Sequence, residues 1–326
     1  MAAAKTRPVL TKKSIAGVVR IVASAIVLAA VLKFVSADAV LDQMRATSPL
    51  AWLAALAGFV AGHMFAAAKW RWMIGGAIPY RQALRAHFAG LAANLALPGV
   101  AGGDLVRAGL VMKGSARKTA LAVGSLADRL IDTASLIVIA AIGAIWLGAR
   151  AGVDVAALSA AAAATIAAGG IGIAQLTNIS RLARRIGAKG RFGAIIADVA
   201  AALDEMATRR GVLIGCILLS VAVQLAFACM NALIAIQIGV AAPVAAWVFA
   251  WPLAKLIATL PISFGGLGVR EASLAGLMAP LGYPAAGVVA ASLIWQTVLY
   301  AGGALGAAAQ FVGRNHTRNA PESTDE

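Results

Sequence analysis

Two stretches of the chain, "LPGVAGGDLVR" at 97–107 and "LPISFGGLGVR" at 260–270, decide how the surrounding apolar sequence is arranged. Aligned without gaps, both follow the pattern L-P-x-x-x-G-G-x-x-V-R, so six of eleven positions are identical. Proline lacks the N–H that a helix interior uses, and paired glycines permit a positive φ. Each stretch therefore predicts a break between two half-helices.

The composition bounds the class of protein. Of 326 residues, 61% are hydrophobic and 13% are charged, and the mean hydropathy is +0.87. Charged residues are too few to cover the surface of a soluble globular protein. The composition therefore predicts a polytopic membrane protein. The net charge of +15 comes from short basic clusters between apolar spans, where anionic lipid and the positive-inside rule account for it. We expect no nucleic-acid partner.

Six continuous apolar segments are long enough to cross a bilayer, since a spanning helix needs about 20 apolar residues. They are 14–36, 51–68, 119–147, 153–176, 211–238 and 284–312. Two further apolar regions, 82–115 and 244–282, are interrupted by proline and glycine and contain the repeated motif. The predicted fold class is an all-α polytopic membrane protein with about six full transmembrane helices and two re-entrant helical hairpins.

The basic clusters predict the orientation. They lie at 1–13, 69–85, 113–118, 181–210 and 314–318. All of them fall on one side of the membrane if each interrupted region enters halfway and returns, and that side is cytoplasmic by the positive-inside rule. Hairpin 82–115 then enters from the cytoplasm and hairpin 244–282 from outside. We expect an uncleaved first helix, cytoplasmic N- and C-termini and a bacterial inner membrane.

This parity divides the chain into an inverted repeat. Residues 1–150 supply two helices, the cytoplasmic-side hairpin 82–115 and helix 119–147. Residues 151–312 supply two helices, the outer-side hairpin 244–282 and helix 284–312. Residues 313–326 are predicted to form a disordered cytoplasmic tail. Inverted repeats with broken helices near the midplane recur in secondary transporters. Chance similarity in an Ala- and Gly-rich chain is the alternative.

The connector 178–208 has apolar residues at helical spacing and charges on its other faces. Two interpretations fit this pattern: an interfacial helix on the cytoplasmic leaflet, or a helix packed on the rest of the protein.

The two motifs predict an anion site. The hairpin elbows are Pro98, Gly102, Gly103, Pro261, Gly265 and Gly266. A half-helix starting after Gly103 would carry Asp104 in its first turn and Arg107 one turn on, and Arg270 holds the equivalent place in the second motif. Helix N-termini and guanidinium groups together suit a phosphate. The alternative is that Asp104 caps its helix and each arginine pairs with an internal acid.

A second charged cluster, "SLADRLID", places Asp128, Arg129 and Asp132 inside the span 119–147. Asp128 and Asp132 share a helix face because they are four residues apart. Ionised groups at membrane depth cost roughly 2.5–3.5 kcal/mol each on insertion scales, so these three require partners. A polar cavity wall and a structural set of ion pairs both satisfy that requirement.

Other polar residues at apparent depth are single. Glu271 and Lys255 are candidates for the same cavity, with snorkelling as the alternative for the lysine. Asn94 either lines the cavity or holds helices together. "KWRW" at 69–72 is typical of an interfacial anchor. The sequence offers no catalytic set, no zinc ligand pattern and no nucleotide-binding loop, so we expect no catalytic residues, no metal and no cofactor.

"NLALPGVAGGDLVR" at 94–107, "DRLID" at 128–132 and "LPISFGGLGVRE" at 260–271 resemble the lysylphosphatidylglycerol synthetase transmembrane-region family, also called flippase-like domain proteins. The resemblance spans roughly 14–312. The family often carries Glu where this chain has Asp104 and Asp128, and the acid is retained. The resemblance implies an integral membrane protein that binds or translocates a lipid, here as a stand-alone member without a synthetase domain.

These expectations combine into a lipid flippase or lipid transporter rather than an enzyme. An anionic headgroup would bind between the two hairpins, with Arg107 and Arg270 on its phosphate and the acids tuning them. The substrate is a phospholipid, a polyprenyl-linked or a hopanoid-type lipid. Two alternatives are a membrane scaffold that partners a lipid-modifying enzyme, and a component of polyprenyl-linked glycosyl transfer with Asp104 as its carboxylate.

Overall fold

The computed structural model describes residues 12–95, 101–113, 115–148, 154–186, 190–260, 263 and 265–318. Within these residues the long regular elements are all α-helices, as the sequence predicts. Their bounds are Lys12–Val35 (α1), Ala37–Arg45 (α2), Pro49–Met73 (α3), Tyr80–Ala93 (α4), Ala101–Met112 (α5), Lys118–Leu147 (α6), Val155–Ile186 (α7), Gly190–Thr208 (α8), Arg210–Gln237 (α9), Val244–Ala258 (α10), Val269–Met278 (α11) and Ala285–Arg318 (α12).

The membrane-spanning elements follow from hydropathy. Four helices, α3, α6, α9 and α12, are long and apolar enough to cross a membrane. The count rises to six if two bent pairs each form one span. One pair joins Ile21–Val35 to Ala37–Arg45 at 90°, and the other joins Ala162–Gly169 to Ala174–Leu182 at 59°. All six predicted spans are thus helical, and the two less regular ones begin the predicted repeats.

Helix α2 differs from the loop expected between the first two spans. Ser36 has φ 65°, and the chain turns there through 90° into α2. Val40 is buried, and α2 packs against α12, while the Asp42–Arg45 ion pair stays exposed. Hydropathy did not identify α2 because the helix is short. Its packing against α12 stabilises the helix.

The connector also gains structure. Helix α7 continues to Ile186, past the predicted end of its span, and α8 packs against both α7 and α6. Its buried side is made of small residues such as Ala200, whereas Phe192 is exposed. The connector therefore packs on the protein through alanines, and contact of Phe192 with a lipid leaflet stays a prediction.

Both interrupted regions contain two helices that pack on each other, α4 with α5 and α10 with α11. In the first, Gly90 and Gly103 bring the backbones together: a Cβ on Gly90 would lie 2.7 Å from the Gly103 carbonyl oxygen. In the second, Gly265 and Gly266 have φ of +61° and +79° just before α11. The elbow prolines Pro98 and Pro261 lie outside the described residues.

One part of the elbow prediction needs correction. Gly102 and Gly103 lie within the first turn of α5, which begins at Ala101, instead of preceding the helix. The small size of Gly103 serves close packing against α4, because a Cβ there would meet both the Gly90 carbonyl oxygen and the Asn94 amide. Only the second glycine pair occupies a turn with positive φ.

One helix of each hairpin packs along a long helix from the other half of the chain. Helix α10 packs along α6, α4 packs along α12, and α3 packs along α9. Exchanging the two halves of the chain maps these pairs onto one another, as two repeats would require. The first helix of each half does not follow this symmetry, since α1 contacts α11 whereas α7 contacts α6. The inverted repeat and its boundaries stay predictions.

The tightest packing surrounds α10. Trp247 and Phe249 are completely buried, and Gly143 of α6 lets the backbone of α10 approach closely at Phe249.

At the C-terminal end of the described residues, α12 continues to Arg318, so the first residues of the predicted disordered tail are helical. The rest of that tail lies outside the described residues.

Candidate functional site

A polar chamber of about 100 Å³ lies beside the first hairpin. Helices α3, α4, α5, α6, α9 and α10 all contribute side chains to it. The predicted site residues that line it are Asn94, Asp104, Arg107, Asp128, Arg129, Asp132 and Lys255. Residues from distant parts of the sequence therefore converge at one place, and most of them are charged.

The charges form a chain of alternating sign. Lys69 Nζ lies 3.0 Å from Asp128 and also contacts Asp132, so the two aspartates share one face as expected. Arg107 lies 3.2 Å from Asp128 and 3.4 Å from Asp104, which in turn pairs with Arg129. We call these residues the ion chain: Asp132, Lys69, Asp128, Arg107, Asp104 and Arg129. Its three cations and three anions balance, as buried charges require.

Lys69 corrects the interpretation of "KWRW" as an interfacial anchor. Its side chain is 3% exposed and lies in the middle of the ion chain. Trp70 is also buried; its Nε1–H donates to Ser125 Oγ at 2.9 Å, and its ring stacks 4.5 Å from the Arg107 guanidinium carbon. A basic residue at the end of a span resembles an anchor in sequence, but here the two aspartates of α6 draw it inward.

Two histidines extend the polar network. His63 Nδ1 lies 3.0 Å from His87 Nε2, and His87 Nδ1 lies 3.3 Å from an Arg107 NH group. The rings come from α3 and α4, and His63 also packs edge-on against Phe59 at 4.3 Å. Sequence reasoning missed this pair because each histidine is isolated in its own apolar segment.

A second chamber of about 230 Å³ adjoins the first. Phe59, Phe227, Trp251, Trp295 and Tyr300 line it together with polar residues, and we call it the aromatic chamber. The first motif lines the polar chamber through Gly103, Asp104 and Arg107, and the second motif lines this aromatic chamber through Gly265 and Arg270. The two motifs thus face adjoining spaces.

Six residues line both chambers: His63, Leu91, Asn94, Arg129, Phe227 and Lys255. Asn94 Oδ1 accepts a 2.8 Å hydrogen bond from the Gly103 N–H, so this residue both lines the cavity and holds α5 against the end of α4. The two roles predicted as alternatives for Asn94 coexist.

Lys255 differs from the other cations of the two chambers. Its Nζ donates to Gln224 Oε1 at 2.7 Å and lies 4.9 Å from the Trp251 ring and 5.9 Å from Phe227. Among the residues that the structure describes, no carboxylate lies within ion-pair distance of it. It therefore leaves one positive charge unbalanced where the chambers meet.

Arg270 belongs to a closed polar cluster. Its guanidinium contacts Glu271 at 2.9 Å, Gln296 at 2.5 Å and Ser292 at 3.2 Å. Glu271 is fully buried and accepts further bonds from Ser292 Oγ and the Gly268 N–H, both at 2.7 Å. Glu271 thus caps α11 and neutralises Arg270, and it does not line either chamber.

A family model matches most of the chain. The lysylphosphatidylglycerol synthase TM region matches residues 17–306, a range that includes both motifs and the ion chain. The chain belongs to this family. No curated protein matches the chain. Membership agrees with the resemblance carried by the motifs and gives the membrane-spanning helices a lipid-related context.

Of the nine residues predicted to bind the substrate, all of which the structure describes, Glu271 alone lies away from both chambers. The structure adds Lys69, His63, His87 and Gln224. Lys69 had a sequence signal, because Asp128 and Asp132 on one face at depth require a cation. The other three had none, since a single polar residue in an apolar span does not indicate which neighbour it meets.

Proposed function

We propose that this protein binds an anionic membrane lipid in the two adjoining chambers and moves it between leaflets. Family membership supports a lipid-related membrane function. The observation that carries the proposal is the uncompensated charge of Lys255 at the boundary between a polar and an aromatic chamber. The headgroup enters the polar chamber, and the apolar part of the lipid extends toward the aromatic one.

The charge balance favours an anionic ligand. The ion chain is neutral, and Arg270 is balanced by Glu271. An unpaired ammonium at membrane depth is unfavourable by at least roughly 2.5–3.5 kcal/mol on insertion scales. A phosphate offsets that cost, so phospholipids and polyprenyl phosphates fit better than an uncharged hopanoid.

The predicted phosphate contacts of Arg107 and Arg270 need refinement. Both arginines are buried and hold internal carboxylates, Asp128 and Glu271. Direct binding through either one would require a phosphate oxygen to replace a carboxylate oxygen. We therefore assign the first contact with the headgroup to Lys255 and keep the two arginines as later contacts during transport.

Transport would use motion of one predicted repeat against the other. Inverted repeats that rock around a central site expose it alternately to the two sides. The two hairpins lie in different halves and line adjoining chambers, so such a motion would open one chamber at a time. We further propose the inner membrane and cytoplasmic termini, since the basic clusters support that orientation.

Reconstitution tests the proposal. Proteoliposomes containing a trace of fluorescent phosphatidylglycerol are treated with dithionite, and the rate at which inner-leaflet probe becomes accessible is measured. Wild-type protein should exceed protein-free vesicles, and Lys255→Met should lower the rate about tenfold, as loss of about 1.4 kcal/mol of binding implies. Lys33→Met, which removes an exposed lysine of α1, is the matched control and should leave the rate unchanged.

Two results would contradict the proposal. Equal rates with wild-type protein and without protein would remove the transport function. Equal rates for wild type and Lys255→Met, with a fast wild type, would remove Lys255 as the anion contact.

A further inference from the structure

The polar residues shared by the two chambers are His63, Asn94, Arg129 and Lys255, here called the donor ring. Two of them are cations and have no acceptor atom. The histidine and the asparagine carry both donors and acceptors, so their contacts decide which atoms face a ligand. The hydrogen bonds of both residues leave an N–H group available to a ligand.

The tautomer of His63 follows from a one-way chain of hydrogen bonds. A guanidinium only donates, so His87 Nδ1 must accept from Arg107 and carries no proton. The proton of His87 is then on Nε2, which donates to His63 Nδ1. His63 therefore carries its own proton on Nε2, where no described residue accepts it.

A second proton on either histidine ring would lie among several cations. Arg107 of α5, Arg129 of α6, Lys69 of α3 and Lys255 of α10 all act on one or both rings, and Asp132 of α6 is the opposing charge. A second proton on either ring would also break these hydrogen bonds. On His87 it would place an Nδ1–H against the Arg107 guanidinium, and on His63 it would place an Nδ1–H against the His87 Nε2–H. We call the hydrogen bonds from Arg107 to His87 and from His87 to His63 the histidine relay. This relay requires a neutral His63 whose Nε2–H has no partner among the described residues.

Asn94 is oriented by the same logic. Its Oδ1 accepts from the Gly103 N–H at 2.8 Å, which fixes the orientation of the amide and leaves its NH₂ group without a partner among the described residues. Arg129 pairs with Asp104, and its Nε has no hydrogen-bond partner within the described residues although it is buried. Lys255 uses one N–H on Gln224 and keeps two. The ring therefore presents mainly donors, and its one remaining acceptor position is the second lone pair of Asn94 Oδ1.

We propose that the donor ring binds the phosphate diester of the lipid headgroup, with the His63 Nε2–H and the Asn94 NH₂ as neutral donors beside Arg129 and Lys255. This assignment rests on the proposed function, since it places the headgroup of that lipid. A phosphate diester has only acceptor oxygens, and charge-assisted hydrogen bonds to it are about twice as strong as neutral ones. A group that must itself donate, such as an ammonium or a hydroxyl, finds only the second lone pair of Asn94 Oδ1 in the ring, whereas the four residues offer several donors.

Histidine NMR tests the relay without any lipid. The chain has three histidines, and His316→Gln leaves two, so selectively ¹⁵N-labelled full-length protein in nanodiscs gives an assignable spectrum. At neutral pH both His63 and His87 should show a protonated Nε2 and an unprotonated Nδ1. A protonated Nδ1 on His63, or a doubly protonated ring, would overturn the inference whatever the protein transports.

Lipid binding tests the ring itself, by native mass spectrometry of the full chain with phosphatidylglycerol. Gln places an amide NH₂ near the position of the histidine Nε2, whereas Asn keeps an acceptor near Nδ1 and lacks the distal donor. His63→Asn should weaken binding about tenfold, and His63→Gln should stay within about threefold of wild type. Asn94→Asp, which keeps the acceptor for Gly103 and removes the donor, should also weaken binding at least about tenfold.

The remaining arms identify the ligand. Diacylglycerol, which lacks phosphate, should bind far more weakly than phosphatidylglycerol, and inorganic phosphate should compete poorly. Diacylglycerol binding as tightly would overturn the phosphate assignment, and inorganic phosphate binding as tightly would overturn the lipid assignment. A loss confined to His63→Gln would show that His63 only supports His87. Absence of phosphatidylglycerol binding in wild type would instead contradict the proposed function and leave the NMR result standing.

Discussion

The first hairpin, formed by α4 and α5, and the second, formed by α10 and α11, share a Gly-Gly and Arg frame but hold their arginines differently. Arg107 of the first is one link in the ion chain and contacts two carboxylates and a histidine. Arg270 of the second has one carboxylate, Glu271, and two neutral partners on α12. Both arginines border a chamber, but Arg107 belongs to a network of several ion pairs, whereas Arg270 has a single ion-pair partner.

The position of the acid explains the difference. Asp104 precedes Arg107 by three residues and aligns with Leu267, whereas Glu271 follows Arg270 directly and aligns with Ala108. The Asp104 side chain is 25% exposed at the chamber wall, and the Glu271 side chain is 0% exposed. Arg107 has two carboxylate partners, so it keeps one of them when the other is displaced. Arg270 of the second hairpin lacks that redundancy, because Glu271 is its one carboxylate among the described residues.

The largest expected effect comes from Glu271→Gln. This substitution leaves Arg270 buried without a carboxylate, and breaking one side of a buried ion pair typically costs about 3–5 kcal/mol. The free energy of unfolding in mixed detergent micelles should fall by that order. Glu205→Gln is the matched control, because Glu205 pairs with Arg117 at the protein surface and should contribute under about 1 kcal/mol. Similar losses for the two variants would show that the Arg270 cluster is solvated rather than closed.

A smaller effect is expected in the ion chain. Asp128→Asn leaves Lys69 with Asp132 and Arg107 with Asp104, so each cation keeps an acid and the cost should be about 1–3 kcal/mol. Combining Asp128→Asn with Lys69→Met removes both members of one pair but leaves Asp132 without its cation, so the double variant should be less stable than Asp128→Asn alone. Asp128 and Lys69 should nevertheless be favourably coupled. A double-mutant cycle on unfolding free energies gives this coupling. If Asp128→Asn destabilises as much as Glu271→Gln, the proposed contrast between the hairpins fails.

The sequence predicted the helices and most of the charged residues of the site for the same physical reason. Apolar stretches near 20 residues identify spans, and charges inside them identify groups that need partners. Asp128 and Asp132 were placed on one face by the helical repeat alone. The sequence did not identify Lys69 as their partner, because that depends on α3 packing against α6. The histidine pair likewise depends on which faces of α3 and α4 meet.

The two glycine pairs distinguish close packing from backbone strain. A Cβ on Gly103 would meet the Gly90 carbonyl and the Asn94 amide, so Gly103→Ala should cost about 1–3 kcal/mol through overpacking. Gly265 has open space around it but a φ of +61°, so Gly265→Ala should cost about 1–2 kcal/mol through strain. Gly109→Ala, in the same helix as Gly103 and with nothing within 4 Å, should be neutral or stabilising.

Asparagine separates the two causes, because it tolerates the left-handed region better than alanine but is larger. Unfolding measurements should therefore rank Gly265→Asn as milder than Gly265→Ala, and Gly103→Asn as more severe than Gly103→Ala. The same ranking at both positions would mean that the glycines act alike. The first pair would then be an elbow like the second, despite its place inside α5.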